Sequence, residues 1–247
     1  MDKKIIETVF DNLLHNKTLQ TIPIEKCRPK WLSKPTTQDK AFIETFLQED
    51  GKGSYKTYHE GNDEDFKKDL EKQIEYENKK GFTEEQKDAV AEWGDDGYED
   101  INGKIYNTEE FRDKKKNGFM GDGYLKWIDD NIEALVGAIE DGPNISVDRI
   151  LYRGGHWDDR VKVGDVVTQD GFTSLTYNEE GAEDFIEVSD SPRYFIEFYV
   201  PSDTKGVWVG EPFDNMDESE YLTPPGTRYY VFDVDKDSET AKVVVLP

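Results

Sequence analysis

The sequence predicts an α+β protein in which helices come first and a mainly antiparallel sheet follows. Apolar residues recur at helical spacing up to about residue 140, and beyond it the period changes to that of strands. The later runs, such as "RILYRG", "RYFIEFYV" and "RYYVFDV", are short, rich in β-branched and aromatic residues and separated by turn residues. A block of helices followed by a block of strands is typical of α+β domains.

The helical part begins with two amphipathic segments. Apolar spacing predicts a helix over residues 3 to 15, and Phe66, Leu70 and Ile74 mark a second helix with a charged outer face. Gly81 is suited to end this second helix, because glycine adopts the left-handed conformation of a helix C-terminus at little cost. Between the two helices, "PIEKCRPKWLSKPTT" is broken by proline and "GKGSYKTYHEGND" by glycine, so both segments are expected to be irregular.

Further helices are expected before residue 140. Thr83 and Gln86 have the spacing of a capping box, so one helix should start there and stop near Gly94. A short helix follows around Ile101. A glycine-rich polar loop then separates it from a strong amphipathic helix over about 124 to 140.

The strand-like runs are, in order, "VDRILYRG", "VVTQDGFTSLT", "RYFIEFYV", "GVWVG", "EYL", "RYYVFDV" and "AKVVVL". Between the last two, "DVDKDSE" begins like a calcium-binding loop. It lacks the glycine that such a loop needs at its sixth position, and Val244 stands where the bidentate glutamate should fall. The segment is therefore predicted to be a hairpin turn.

The charge balance disfavours several partners. Lys and Arg number 31 against 55 Asp and Glu, which gives a net charge of -24. Phosphate backbones and anionic membranes both require clustered positive charge, so we expect neither nucleic acid nor a membrane as a partner. An acidic surface fits solubility or a basic protein partner.

The cysteine and histidine content limits disulfides and metals. Cys27 is the single cysteine, so no intramolecular disulfide can form, and His15, His59 and His156 lack any zinc-site spacing. The N-terminal stretch has no uninterrupted apolar core of a signal peptide, and no segment has the apolar length of a membrane span. We expect a soluble protein without a metal that acts in a cytoplasm.

A pair of glutamates, Glu218 and Glu220, is the first candidate for chemistry. Residues i and i+2 of a strand share one face, and two carboxylates there can divide acid, base and electrostatic roles. Spacing alone is weak support, because Glu75 and Glu77 have the same spacing within a charged helix.

Two strand runs upstream add candidates. Arg153 ends an apolar run in "LYRGG", where a guanidinium either reaches solvent or holds an anion such as phosphate. Ser174 and Thr176 share one face of the "GFTSLT" strand, where hydroxyls can also simply pair across strands.

In this order, "YRG", "GFTSLT" and "ESEYL" resemble the motifs of the mono-ADP-ribosyltransferases of the Arg–Ser–Glu, toxin-like class. "YEDINGKIYN", "FIEFYVP" and "PPGTRYYV" are also similar to segments of that family. The resemblance covers about residues 83 to 247 and implies a catalytic domain of two packed, mainly antiparallel sheets flanked by helices. Residues 1 to 82 match no known family and are interpreted as a helical N-terminal region of unknown role.

The resemblance also implies catalytic roles. Arg153 would bind the phosphates of NAD, the backbone of Gly154 would hold the nicotinamide amide, and Ser174 would orient Glu220. Glu220 would bind the ribose 2′-hydroxyl and stabilise the positive charge that develops as nicotinamide leaves. Glu218 would bind and help deprotonate the acceptor, and a glutamate at this place goes with arginine acceptors.

Further binding residues follow from the same resemblance. Phe213, in "GEPFDNMDE", would be the aromatic of the turn-turn loop that meets the protein substrate. Tyr98 and Asn102 would line the adenosine side, and Phe185 is the candidate for stacking on nicotinamide. Thr176 keeps a hydroxyl where the family has its second serine, whereas Leu175 replaces a threonine.

The predicted function is NAD-dependent mono-ADP-ribosylation of an arginine on a target protein, with NAD as co-substrate and release of nicotinamide. The residues leave three alternatives open: an NAD glycohydrolase without a protein acceptor, a glycoside hydrolase that uses the two carboxylates, and a catalytically weak acidic interaction protein. The protein target, the oligomeric state and the choice between a secreted toxin and a phage effector are also open.

Overall fold

A computed structural model describes residues 30–48, 59–60, 63–79, 81–187, 193–209 and 220–247. The helix expected over residues 3 to 15 lies outside these ranges. None of the helices in the described ranges is both long and apolar enough to cross a membrane.

The described helices are α1 Thr37–Gln48, α2 Asp63–Lys79, α3 Glu84–Glu92, α4 Tyr98–Tyr106, α5 Glu109–Lys116, α6 Asp122–Asp141 and α7 Glu179–Glu187. Helices α2, α3, α4 and α6 were predicted, whereas α1 and α7 were not. The predicted capping box is present, because Thr83 Oγ1 accepts from the Gln86 N–H while the Gln86 side chain accepts from the Thr83 N–H. Gly81 has the expected positive φ of 75° after α2.

Helix α5 corrects the prediction of a polar loop between α4 and α6. Thr108 caps its N-terminus by accepting from the Phe111 N–H, two acidic residues occupy its first turn and three lysines its last turn. Phe111 is its buried anchor. The helix is short and highly charged, so it shows almost no apolar periodicity in the sequence.

The strands confirm the predicted α+β class. Their bounds are β1 Leu32–Ser33, β2 His59–Glu60, β3 Arg149–His156, β4 Val166–Thr168, β5 Thr173–Thr176, β6 Arg193–Val200, β7 Val207–Val209, β8 Glu220–Thr223, β9 Arg228–Asp235 and β10 Thr240–Val245. The order across the sheet is β1-β4-β9-β10-β6-β3-β5-β8-β7, and β2 pairs with β3. Among these pairings only β10–β6 and β2–β3 are parallel.

The sheet divides into two halves that meet at one rung. Strand β3 runs alongside β6 from Arg149 to His156, whereas it pairs with β5 only through Tyr152 and Thr176. One core cluster contains Leu151 of the first half and Leu175 of the second, so the two halves pack against a common core. A cleft opens where β3 and β5 diverge.

The predicted hairpin between β9 and β10 is confirmed. Asp235 ends β9 opposite Thr240 of β10, and its carboxylate accepts from the N–H groups of Asp237 and Ser238. The Asp235 carboxylate therefore serves turn geometry.

The described part of residues 1 to 82 packs on the sheet. Strand β1 pairs with β4, and Phe66 and Leu70 of α2 lie in the main core cluster. The boundary at residue 82 stays a prediction.

Candidate active site

A cavity of about 660 Å³ lies in the cleft between the two halves of the sheet. It brings together most of the predicted site residues, which are Tyr98, Asn102, Arg153, Gly154, Ser174, Thr176 and Glu220. Among the described residues that line it, Arg153 is the only basic side chain and is accompanied by the carboxylates of Glu180 and Glu220. The cavity is therefore suited to a ligand that carries an anionic group near Arg153 and a neutral or cationic group elsewhere.

Arg153 spans the gap between the diverging strands. Its side chain is half-buried, and one Nη1–H donates to the Ser174 carbonyl at 2.7 Å. A guanidinium has five N–H donors, so this bond leaves donors for an anionic ligand such as a diphosphate. The bond fixes the direction of the side chain and thus pre-orients those donors toward the cavity.

The Ser174 hydroxyl accepts a hydrogen bond from a residue that sequence reasoning missed. The Nε1–H of Trp93 donates to Ser174 Oγ at 3.3 Å, and the Trp93 ring is buried against Phe172 and Tyr98. Because the indole can only donate, Ser174 keeps its own O–H to donate to a carboxylate or a ligand.

The local backbone explains how Trp93 reaches the serine. Residues 93 to 97 form an irregular turn between α3 and α4, in which Asp95 leaves the helical conformation at φ −88° and ψ −119°. A Cβ on Gly97 would lie 2.7 Å from the Glu92 carbonyl oxygen, so the turn requires glycine there. The sequence shows only that Trp93 stands near two glycines at the end of a predicted helix. That pattern does not identify Ser174 as the partner of the indole.

Glu220 is the first residue of β8 and lies directly opposite Thr176 of β5. Its side chain is half-buried. Ser174 was predicted to orient Glu220, but in this ladder Ser174 faces Leu222 and the hydroxyl across from Glu220 belongs to Thr176. Since residues i and i+2 share a face, both hydroxyls lie on the same side of the strand pair as the Glu220 carboxylate.

Asn102 joins helix α4 to the strand that carries Ser174. Its side-chain Oδ1 accepts from the Phe172 N–H and its Nδ2 donates to the Phe172 carbonyl, both at 3.1 Å. A Cβ on Gly171 would lie 2.5 Å from Asn102 Oδ1 and 2.7 Å from the Tyr106 ring. The glycine that begins "GFTSLT", Gly171, is thus needed for the close approach of α4.

Two tyrosines beside Arg153 stay neutral. Partial removal of its surroundings from water raises the pKa of Tyr106, although a backbone hydrogen bond at Gly171 and the nearby Arg153 charge act in the opposite direction. Burial likewise raises the pKa of Tyr229, whose hydroxyl accepts from Gln169 at 3.1 Å. Neither tyrosine therefore neutralises Arg153 as a phenolate near neutral pH.

The remaining predicted site residues lie outside the described part of the structure. Glu218 and Phe213 belong to the undescribed residues 210–219. Phe185 lies on α7, but its side chain is not among those described. Their roles stay predictions. Within the described ranges, no group of three or more His, Cys, Asp or Glu side chains is arranged to hold a metal ion.

One curated protein matches over most of this chain. The match is 26% identical over 159 residues to the NAD(+)–arginine ADP-ribosyltransferase EFV of Enterococcus faecalis, and it covers 63% of this chain and 30% of that protein. The chain thus spans about a third of the length of this relative. No family model matches the sequence.

Solved structures show the same fold. The Vis toxin, an ADP-ribosyltransferase from Vibrio splendidus, superposes with a TM-score of 0.54 and 18% identity over 77% of this chain and 87% of its own. Plx2a, an ADP-ribosyltransferase toxin from Paenibacillus larvae, gives a TM-score of 0.55 and 16% identity over 74% and 96% of the two chains. The resemblance predicted from the three strand motifs is therefore confirmed, and this chain has the fold of the mono-ADP-ribosyltransferases.

Proposed function

We propose that this protein is an NAD-dependent mono-ADP-ribosyltransferase that transfers ADP-ribose to an arginine side chain. The observation that carries the proposal is the convergence of Arg153, Ser174 and Glu220, which come from three different strands, on one cavity of about 660 Å³. The sequence similarity of this chain to an NAD(+)–arginine ADP-ribosyltransferase supports the same activity.

Arg153 and Glu220 divide the binding and the chemistry. The guanidinium of Arg153, already fixed by Ser174, binds the diphosphate of NAD through its remaining N–H donors. Glu220 accepts a hydrogen bond from the ribose 2′-hydroxyl and stabilises the positive charge on the ribose as its bond to nicotinamide breaks. The bonding electron pair leaves with nicotinamide, which departs as a neutral molecule.

Ser174 and Thr176 position the Glu220 carboxylate. Their hydroxyls lie on the same side of the strand pair as Glu220, and Thr176 is the one directly across the ladder. Trp93 donates a hydrogen bond to the Ser174 oxygen, which leaves the serine O–H available to donate to a group in the cavity.

An arginine acceptor is the proposed specificity. The curated relative is named for arginine, and a structural neighbour, Vis, is known in complex with agmatine, a small guanidine. Glu218 binds the acceptor guanidinium and removes a proton as the guanidinium nitrogen attacks the ribose carbon. The acidic character of the chain, with its net charge of -24, suits a basic arginine-bearing protein.

A direct test uses NAD with and without agmatine. Nicotinamide release and the ADP-ribose adduct of agmatine are measured together by chromatography and mass spectrometry. We expect adduct formation that Glu220→Gln abolishes while NAD binding persists, because the amide keeps the shape but not the charge. Nicotinamide release without any adduct would identify an NAD glycohydrolase instead, and no release at all would refute both activities.

A further inference from the structure

The side-chain amide of Gln73, on helix α2, bonds to the edge of the sheet in the way that the backbone of a further strand would. The side chain of Gln73 is buried, its Nε2 donates to the Trp208 carbonyl at 3.0 Å and its Oε1 accepts from the Trp208 N–H at 2.9 Å. Trp208 is the middle residue of β7, the terminal strand of the sheet, so Gln73 satisfies the outward backbone groups of that edge.

This contact determines which way the backbone of the neighbouring residues points. In an antiparallel ladder, residues alternate between pairs that exchange hydrogen bonds and pairs that do not. Because both backbone groups of Trp208 point outward to Gln73, those of Val209 point inward, toward Glu220 of β8. Glu220 can direct its own N–H and C=O to only one side, so its peptide groups are held by Val209 and not by Thr176.

The backbone of Glu220 therefore depends on a strand of three residues. Such a short edge strand is marginal by itself, since within the described ranges it has one neighbouring strand and few ladder bonds. Gln73 supplies the missing neighbour at its central residue. The side of Trp208 is also covered by α2, because the Phe66 and Trp208 rings meet edge to face with centroids 4.8 Å apart.

Helix α2 is itself firmly attached to the sheet. Asp69 lies one helical turn before Gln73 and forms a buried ion pair with Arg149 of β3, while Ser146 donates to the same carboxylate. Phe66 stacks on Tyr177 with ring centroids 4.1 Å apart. The helix thus links the half of the sheet that carries Arg153 to the edge strand that holds Glu220.

We infer that Gln73 is a positioning residue for Glu220 and that α2, within the N-terminal region of unassigned role, is part of the catalytic unit. The expected effect of Gln73 on catalysis rests on the proposed function. The expected effect of Gln73 on the β7–β8 ladder is independent of that function. Loss of the two bonds frees β7 to shift, and the Glu220 carboxylate then loses its fixed place beside the ribose.

The test compares Gln73→Met with Gln86→Met in the full-length protein. Both glutamines are buried on helices, and both side chains make two hydrogen bonds, those of Gln86 being with Thr83 and Asp141. Methionine keeps the volume and removes both bonds. Amide hydrogen exchange over residues 220 to 223 is measured alongside the kinetics of nicotinamide release.

We expect exchange over residues 220 to 223 to accelerate about thirtyfold in Gln73→Met, the effect of two ordinary hydrogen bonds lost, and not in Gln86→Met. The kcat should fall by about the same factor, while KM for NAD changes less than about twofold, because Arg153 and Gly154 lie on β3.

Two results would overturn the inference: unchanged exchange over residues 220 to 223, or faster exchange with an unchanged kcat. If the wild-type protein releases no nicotinamide, the proposed function fails by itself. The exchange data then decide alone whether Gln73 holds the strand.

Discussion

Replacing Gly171 by alanine tests the close approach of α4 to the serine strand. The added Cβ would lie 2.5 Å from Asn102 Oδ1 and 2.7 Å from two atoms of the Tyr106 phenol group, distances at which a neighbour must move. Tyr106 can turn aside because its side chain is 44% exposed. Asn102 can move only by giving up its two bonds to the Phe172 backbone.

The expected cost follows from these contacts. Two neutral hydrogen bonds contribute about 1 kcal/mol each, and the added methyl group costs about 1 kcal/mol or more in overpacking. The lower entropy of the unfolded chain returns about 0.5 kcal/mol to the alanine variant. We therefore expect Gly171→Ala to reduce the free energy of unfolding by about 2 to 3 kcal/mol.

Denaturant unfolding of the two proteins at neutral pH measures this difference. Gly123→Ala is the matched control, because Gly123 lies in α6 and a Cβ there would meet nothing within 4 Å. That control should be stabilised by about 0.5 to 1 kcal/mol through helix propensity. A Gly171→Ala variant as stable as the wild type would show that α4 and the serine strand do not touch in this way.

Two further substitutions probe the site and the sheet. Trp93→Phe removes the donor to Ser174 while keeping an aromatic ring. The kcat of nicotinamide release should therefore fall about fivefold, with little change in KM for NAD. An unchanged kcat would contradict the role of the indole. At Asp39, burial raises the carboxyl pKa, but hydrogen bonds, chiefly from Arg228, outweigh it and lower the pKa below its ordinary value. Asp39→Asn should therefore cost about 1 to 2 kcal/mol of unfolding free energy at pH 7. Thermal melts should show this difference shrinking as the pH falls below about 4, because the carboxylate of the unfolded chain is protonated there while that of the folded protein is protonated only at its lower pKa. A difference that stays constant with pH would exclude ionisation as its source.

Local patterning predicted the elements whose sequence neighbours are also their structural neighbours. The period of α6, the capping box at Thr83 and the β9–β10 hairpin each involve residues a few positions apart, and all three are present. The motif order of Arg153, Ser174 and Glu220 was sufficient to predict that they line one cavity.

The contacts that sequence reasoning missed join distant segments. Trp93 meets Ser174 across 81 residues, and Gln73 meets Trp208 across 135. Neither glutamine nor tryptophan carries a spacing pattern that names its partner, so such bonds become visible only when the chain is folded. The strand register could not be read from the motifs either; it sets Thr176 across from Glu220, and the predicted link from Ser174 to Glu220 stays a prediction.

The two halves of the site are carried by different pairs of strands, because β3 and β5 meet only through Tyr152 and Thr176. A register change in β5 and β8 would displace Ser174 and Glu220, and with them the carbonyl that fixes the Arg153 side chain, yet it would leave every backbone pairing of β3 with β6 intact. Sequence changes in β5 and β8 can thus alter one side of the cavity while the strand that carries Arg153 keeps its place in the sheet.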